Sequence, residues 1–350
     1  MSITDVAKAA GVSTATVSRV LNELPGVKDD TIRQVKAAVE ALNYRPLRIR
    51  KSSKGSAGHG RGGKTGNIAL ITLGQTRDWL QLPVMASVVQ GIQVAAAEQN
   101  LRLMLEELPD PNNLSPIFRS DKIDGAIVFR TSSLPIVSQA KVLENLTAQV
   151  PIVWVMGIEV TVSGVDHVTA NNLSIGTLAH SYLVSKGCKK PAFLTATPGW
   201  AFIRVRGQGF LNAVYDAGQR GESYVVSETK QSWDCYGSSV TSAGNLNDLV
   251  EKLAKSKNRP DGLFVANDAT TVQLYPLLEK HGISPGKDLV ILSCDNEEIR
   301  LSALSPRPAS IDIGAEQIGY RAVVRLLARV ERPKDLPLVI QISPRIIEPA

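Results

Sequence analysis

From residue 67 onward the chain alternates short, continuous apolar runs with helix-length amphipathic stretches. The strand-like runs are Ile68–Leu73, Leu101–Leu105, Gly125–Phe129, Ile152–Val155, Ala192–Thr195, Tyr224–Val226, Gly262–Val265, Leu289–Ser293 and Ala309–Ile313. Helical spacing marks Val84–Asn100, Asn172–Lys186, Phe202–Ala217, Leu246–Ser256, Ala269–His281 and Ala315–Val330. A strand apolar at every position has no face to give to water, so it belongs in a parallel sheet covered by helices on both sides. Lys189-Lys190-Pro191, just before one such run, reads as a fresh start of a β-α unit. The pattern therefore predicts an α/β body with a division near residue 170. Ligands of parallel sheets bind at the carboxyl ends of the strands.

The first 66 residues are different in kind. Twelve Lys/Arg face five Asp/Glu there, so this piece carries +7 while the whole chain carries +6. From Arg45 to Lys64 there are seven basic residues and no acidic one. A cationic head on a near-neutral body is the footprint of a polyanion-binding protein. The alternative is a solvated basic linker.

Residues 1–44 read as three short helices. Ile3, Val6, Ala7 and Ala10 share one helical face, Ser2 and Asp5 fit a capping box, and Gly11 ends the helix. Ser13 is a natural N-cap for a second helix that turns Val17, Val20 and Leu21 inward. A third starts at Asp29 or Asp30 and buries Ile32, Val35, Val39 and Leu42. Two short helices joined by a Gly-containing turn make a helix-turn-helix unit. The exposed face of the second carries Thr14, Ala15, Thr16, Ser18, Arg19 and Asn22. Small hydroxyl residues permit close approach to a major groove, and Arg and Asn make bidentate contacts with base edges. A three-helix bundle for protein contacts is the competing reading.

The string Ile3-Thr4-Asp5-Val6-Ala7-Lys8-Ala9-Ala10-Gly11-Val12-Ser13, then Thr16-Val17-Ser18-Arg19-Val20-Leu21-Asn22, resembles the DNA-binding head of the lactose-repressor/galactose-repressor (LacI/GalR) family. Val27, Thr31, Val35, Leu42, Asn43, Tyr44 and Pro46 continue the match. The resemblance implies that Thr14 and Ala15 are the two variable base-reading residues, with Arg19 and Asn22 further along the recognition helix. It implies that Ile3, Thr31 and Tyr44 contact or buttress phosphates, and that Ser13, Thr16 and Ser18 divide between phosphate binding and capping. Ser18 and Thr31 are equally readable as a cap or a surface hydroxyl.

In this family a hinge helix follows Tyr-x-Pro, and its leucine wedges into the minor groove of bound DNA. Here the stretch is Pro46-Leu47-Arg48-Ile49-Arg50-Lys51-Ser52-Ser53. Arg50 replaces the small alanine, and Ser53 stands where the wedge leucine is expected. Leu47 or Ile49 is the alternative wedge in a shifted register. The expected hinge works mainly by charge, through Arg48 and Arg50. Ser52–Gly66 follows with six glycines, a composition of flexible linkers. Within it Gly58–Thr65 matches the phosphate-loop string G-x-x-x-x-G-K-[ST]. That motif needs a strand before it and a helix after it. Here a linker precedes and a strand-like run follows, so nucleotide hydrolysis is rejected.

The resemblance continues more weakly through the body, at Asp124–Val128, Arg204–Phe210, Val265–Asp268 and Asp288–Asp295. It implies two similar lobes of periplasmic-binding-protein type, with a ligand cleft between them. Carried over by position, Arg204 is the ligand-gripping arginine, Asp295 the strand-end carboxylate, Asn267 a polar strand-end group and Trp233 an aromatic of the cleft wall. Trp79 and Trp200 are weaker aromatic candidates. Each polar candidate is also readable as a cap or an internal ion-pair partner. Met156 stands where many relatives have an aspartate, and Leu82 and Val84 flank a position where some have an aromatic pair. The effector therefore cannot be copied from a relative.

The expected organisation is a head over 1–45, a hinge and linker over 46–66 and a body over 67–350. Residues 67–170 and 300–318 are assigned to the first lobe, 171–299 and 319–350 to the second. Cys188, Cys235 and Cys294 are too scattered for a disulfide framework or a zinc ribbon, and His59, His167, His180 and His281 have no ligand spacing. Neither a secretory signal nor an apolar run of the ~18–20 residues needed to cross a bilayer is recognisable. The expectation is thus a cytoplasmic, non-enzymatic transcriptional regulator of repressor type, without cofactor or metal. Its expected partners are a pseudo-palindromic operator in double-stranded DNA and a small, sugar-like effector. The tail at Pro349-Ala350 carries no heptads, so a homodimer rather than a tetramer is expected. The alternative is a sugar-binding protein whose head has a role other than DNA.

Overall fold

The computed structural model describes residues 3–21, 26–42, 65–73, 82–108, 116–118, 122–130, 144–156, 165–198, 200–219, 222–225 and 243–349. The chain forms two compact units, Met1–Arg61 and Gly62–Ala350. Each is described by itself.

The first unit holds α1 (Ile3–Ala9), α2 (Thr14–Leu21) and α3 (Asp29–Ala41). Val6, Ala7, Val17, Val20, Val35 and Ala38 are its buried core, and Ile32, Val39 and Leu42 pack at its margin. Gly11, at φ 65°, turns the chain so that the Val12 N–H reaches the Ala7 carbonyl at 3.0 Å. A left-handed residue at this point is cheap only for glycine, and it closes α1 while aiming the chain into α2.

The second unit contains two six-stranded sheets. The first comprises β1 (Asn67–Leu73), β2 (Arg102–Leu108), β3 (Gly125–Arg130), β4 (Ile152–Val155), β5 (Asp166–Ala170) and β11 (Val339–Ile342), in the order β11-β5-β4-β3-β1-β2. The second comprises β6 (Pro191–Thr195), β7 (Glu222–Val225), β8 (Gly262–Val265), β9 (Val290–Cys294), β10 (Ala309–Asp312) and β12 (Arg345–Ile347), in the order β12-β10-β9-β8-β6-β7. All pairings are parallel except that of β12 with β10. The continuous apolar runs have their expected cause. Ile68 and Leu70 of β1 enter one core while Ala69, Ile71 and Leu73 enter another, on the opposite face. In β6 and β8, Phe193 and Phe264 divide from Ala192, Leu194, Leu263 and Val265 in the same way.

Helices α4 (Pro83–Glu98) and α10 (Ala315–Glu331) pack together on the first sheet, and α5 (Asn172–Ser185) and α6 (Ala201–Asp216) pack together on the second. Glycines let both pairs approach closely. A Cβ at Gly91 would stand 1.9 Å from the Glu316 carbonyl oxygen, and one at Gly209 would stand 2.2 Å from that of Leu173. The second lobe also carries α7 (Ala243–Lys255), α8 (Asp268–Lys280) and the short α9 (Glu298–Leu301). No helix among the described residues is long and apolar enough to cross a membrane.

The expected lobe assignment of the C-terminal third needs correction. Ala309–Asp312 pairs with β9 in the second sheet, so the chain does not return to the first lobe there. The crossing follows β10, at Gly314 (φ 70°). Then α10 covers the first sheet, β11 joins its edge beside β5, and β12 goes back to the second sheet. The first-lobe part of the tail is therefore near 315–342, not 300–318. An ion cluster fixes this return. Asp166, fully buried in β5, takes Arg329 Nε at 2.8 Å, lies 2.9 Å from Arg325 Nε and accepts from the Leu338 N–H at 2.7 Å.

Candidate functional site

In the head, α2 turns Val17 and Val20 inward and leaves Thr14, Ala15 and Arg19 exposed, with Thr16 and Ser18 half-buried. Ser13 Oγ accepts from the Thr16 N–H at 3.1 Å and lies 2.9 Å from Thr16 Oγ1. Ser13 thus caps the helix, satisfying an amide that would otherwise face only water. The capped, positive end of α2 sits beside the exposed Thr14 and Ala15, an arrangement that suits a phosphate backbone and an adjacent base edge. The Arg19 guanidinium lies over Gly26, where an added Cβ would be 3.2 Å from Nη2. Thr31 is half-buried in the first turn of α3. Ile3 opens α1, but its side chain is outside the described set, as are Asn22, Tyr44, Leu47, Arg48, Arg50 and Trp233.

In the second lobe, polar groups gather at the carboxyl ends of β8 and β9. Arg206, on α6, is 1% exposed. Its Nε donates to Asn172 Oδ1 at 3.1 Å, its Nη1 to the Ala266 carbonyl at 2.7 Å, and its Nη2 pairs with Asp295 Oδ1 at 2.9 Å. Phe202 lies against the guanidinium, 5.2 Å away. Asp295 and Asn296 take left-handed conformations in succession, φ 101° and 53°. Such non-glycine geometry costs about 1–3 kcal/mol per residue and persists only where the surroundings impose it. Behind them Asp268, fully buried, accepts from Ser310 Oγ at 2.9 Å, the Glu297 N–H at 2.6 Å and the Ser293 hydroxyl. Burial first, then the Asp295 charge, push the Asp268 carboxyl up to about 7 against the pull of those donors.

The structure brings Asp295 and Asn267 to this end of the sheet but not Arg204. Arg204 is exposed on α6 and donates to the Pro198 carbonyl at 3.2 Å. The arginine joined to Asp295 is Arg206, two residues further along α6, which the sequence reading did not single out. Periodicity held the signal: Ile203, Arg206, Phe210 and Val214 form the buried stripe of α6, and Arg204 falls off it. Asn267 caps α8, accepting from the Thr270 N–H at 2.8 Å and donating to Thr197 Oγ1 at 3.3 Å. Trp200 packs on Phe202 with ring centroids 5.5 Å apart. Two of the histidines without ligand spacing are buried: His167 stacks on Trp154, and His180 Nε2 lies 2.7 Å from Gln219 Oε1. The phosphate-loop match fails as expected. Thr65 Oγ1 accepts from the Asn67 N–H at 3.1 Å, and β1 begins there instead of a helix.

A three-helix head with a solvent-facing second helix, joined in one chain to a two-sheet α/β body, defines a DNA-binding regulator with a ligand-sensing body. Residues 2–46 match the family described as bacterial regulatory proteins, lacI family, and residues 180–348 match the periplasmic binding protein-like domain. The HTH-type transcriptional repressor PurR of Mannheimia succiniciproducens is 26% identical over 350 residues, covering 99% of this chain and 96% of its own. The ribose operon repressor of Escherichia coli K12 is 25% identical over 352 residues, covering 98% and 97%. The lac repressor dimer bound to operator and an anti-inducer has the same fold, with a TM-score of 0.71 at 19% identity over 99% of this chain and 98% of that one. The head is that of the lacI family of bacterial regulatory proteins, and over its whole length the chain is similar to transcriptional repressors.

Proposed function

We propose that the protein is a repressor that binds a pseudo-palindromic operator as a homodimer, with its operator affinity set by a sugar or sugar derivative held between the lobes. The observation that carries this reading is α2: its start is capped by Ser13, its inner face is buried, and Thr14 and Ala15 stand free to meet base edges. The repressor names of the relatives support the direction of control, and the ribose operon repressor supports a sugar as effector. The buried Arg206–Asp295 pair supplies the planar fork and the acceptor that hydroxyl-rich ligands use.

The test is selection of operator sequences from a random duplex pool, followed by anisotropy titrations with and without a panel of sugars and sugar phosphates. Exchanging Thr14 and Ala15 for other residues is expected to change which half-site is selected. In the hinge, Arg48→Ala with Arg50→Ala is expected to lower the slope of log affinity against log salt by about two, near one unit per lost phosphate contact. An unchanged half-site preference after substitution at both positions would remove α2 as the reader. A chain with no duplex preference at low salt would remove the function.

A further inference from the structure

We infer that Glu297 is a latch between the two lobes, holding the end of α4 in the first lobe from a turn of the second. The lobes are joined covalently at three crossings, near residues 171, 313 and 343, which lie side by side. The Asn171 N–H donates to the Ile342 carbonyl at 2.9 Å, and Asp312 accepts from the Gly314 N–H at 2.8 Å and from Arg345 Nε at 2.9 Å. Adjacent crossings of this kind form a hinge, about which two packed lobes rotate as bodies. What holds such lobes together away from the hinge decides how readily they part.

Glu297 is placed to do this. It follows β9, in the second lobe, yet its Oε1 accepts from the Val84 N–H at 3.2 Å, in the first turn of α4. Leu82, the N-cap of α4, has no side chain able to accept, so Glu297 supplies the cap from across the cleft. Its carboxylate meets the positive end of a 16-residue helix, where a negative charge is favoured. The residue is 7% exposed, and its other oxygen pairs with Arg300 Nε at 2.5 Å. Burial and the Asp295 charge push its carboxyl up.

The same turn carries Asp295, two residues earlier, and Asp268 holds the Glu297 N–H. If the proposed ligand engages Asp295, occupancy and lobe closure are read by one short segment. That link rests on the proposed function, whereas the latch itself does not. The test therefore uses the full chain with no ligand. Fluorophores introduced through non-canonical amino acids at Gln99, beyond α4, and Lys257, beyond α7, report the separation of the lobes by energy transfer. Hydrogen exchange reports the first turn of α4. Glu297→Ala is expected to shift the transfer distribution and to speed exchange at residues 84–86 by about tenfold or more, the scale of a lost charge-assisted hydrogen bond. Glu297→Gln, which keeps an acceptor for Val84, is expected to retain the parent distribution. If Glu297→Ala folds poorly, Glu297→Asp removes the reach alone and should shift the distribution in the same direction. A transfer distribution for the shortened or truncated side chain that superimposes on the parent's overturns the latch, even if α4 frays. DNA binding is unaffected by that outcome and is judged by the operator titration.

Discussion

Replacing Arg206 tests whether the polar cluster of the second lobe is held together as its geometry implies. The guanidinium is 1% exposed and uses three nitrogens on three acceptors, Asn172 Oδ1, the Ala266 carbonyl and Asp295 Oδ1. Arg206→Ala leaves a carboxylate 7% exposed without its cation, next to Asp268 and Glu297, and strips a buried carbonyl of its donor. Removing one partner of a buried pair costs about 3–5 kcal/mol, because the remaining charge is stranded. The expected loss is thus roughly a thousandfold in the folding equilibrium. Asp295→Asn keeps an acceptor and leaves Arg206 its bonds to Asn172 and Ala266, so about 1–2 kcal/mol is expected. The double variant should cost less than the sum by about 2 kcal/mol, since the charge stranded in one single variant is absent. All four tryptophans lie between residues 79 and 233, within the body. Urea unfolding followed by tryptophan fluorescence therefore reads the body alone. A cost for Arg206→Ala below about 1 kcal/mol, or strict additivity in the double variant, would refute the reasoning.

The remaining predictions concern the same unit. At Asp166 burial alone would raise the carboxyl, but hydrogen bonds from Arg329, Leu338 and Arg325 hold it below the ordinary range. Its stabilising share is therefore present above the ordinary carboxylate pKa and is lost as pH falls through the lower folded value, so Asp166→Asn should flatten the acid limb of a stability–pH curve. Asp268 has the opposite sign: a carboxyl raised from 3.8 to about 7 makes the folded state bind the extra proton, so its contribution falls as pH rises across that window. Asp268→Asn should lessen that decline in urea midpoints measured from pH 5 to pH 8, and an unchanged slope would count against a neutral Asp268. Gly91→Ala must push α4 from α10, because its Cβ would meet the Glu316 carbonyl at 1.9 Å; a loss of about 1–3 kcal/mol is expected, read as a lowered melting temperature.

Much of the fold was legible because it depends on local regularity. Every strand-like run of the body overlaps a strand, and most do so because a run buried on both faces must be apolar throughout; β2, at a sheet edge, is the exception, with Met104 and Leu105 exposed. The strands that escaped notice lack that regularity. β5 reads Asp-His-Val-Thr-Ala, and its polar residues are buried because other elements supply their partners, Arg325 and Arg329 from far along the chain for Asp166 and Trp154 from the neighbouring strand for His167. β11 and β12 are short edge strands with half-exposed faces, defined by the strands they join. The error in assigning residues 300–318 has the same origin. Ala309–Asp312 looks alike whether it ends one sheet or the other, and only its pairing with β9 decides.

The candidate site was legible to the extent that a residue's role is local. Ser13 could be read as a cap because its partner is three residues away. Asp295 follows the apolar run of β9, and the family resemblance supplied its reading as the strand-end carboxylate. Asp124 and Asp261 show the intermediate case. Each stands before a glycine at the head of a strand, Asp124 taking the Thr65 and Gly66 amides and Asp261 those of Lys189 and Lys190. Both lobes thus anchor their first strand by the same device, which explains why Asp-Gly recurs before apolar runs and why the body reads as two similar halves. Glu297 had no such signal. Its backbone is held by Asp268 and its side chain by Val84 and Arg300, so its role exists only once the two lobes are folded against each other. A contact that arises from lobe placement alone responds to lobe movement alone. For that reason the residue least visible in the sequence is the one through which closure of this body is most directly tested.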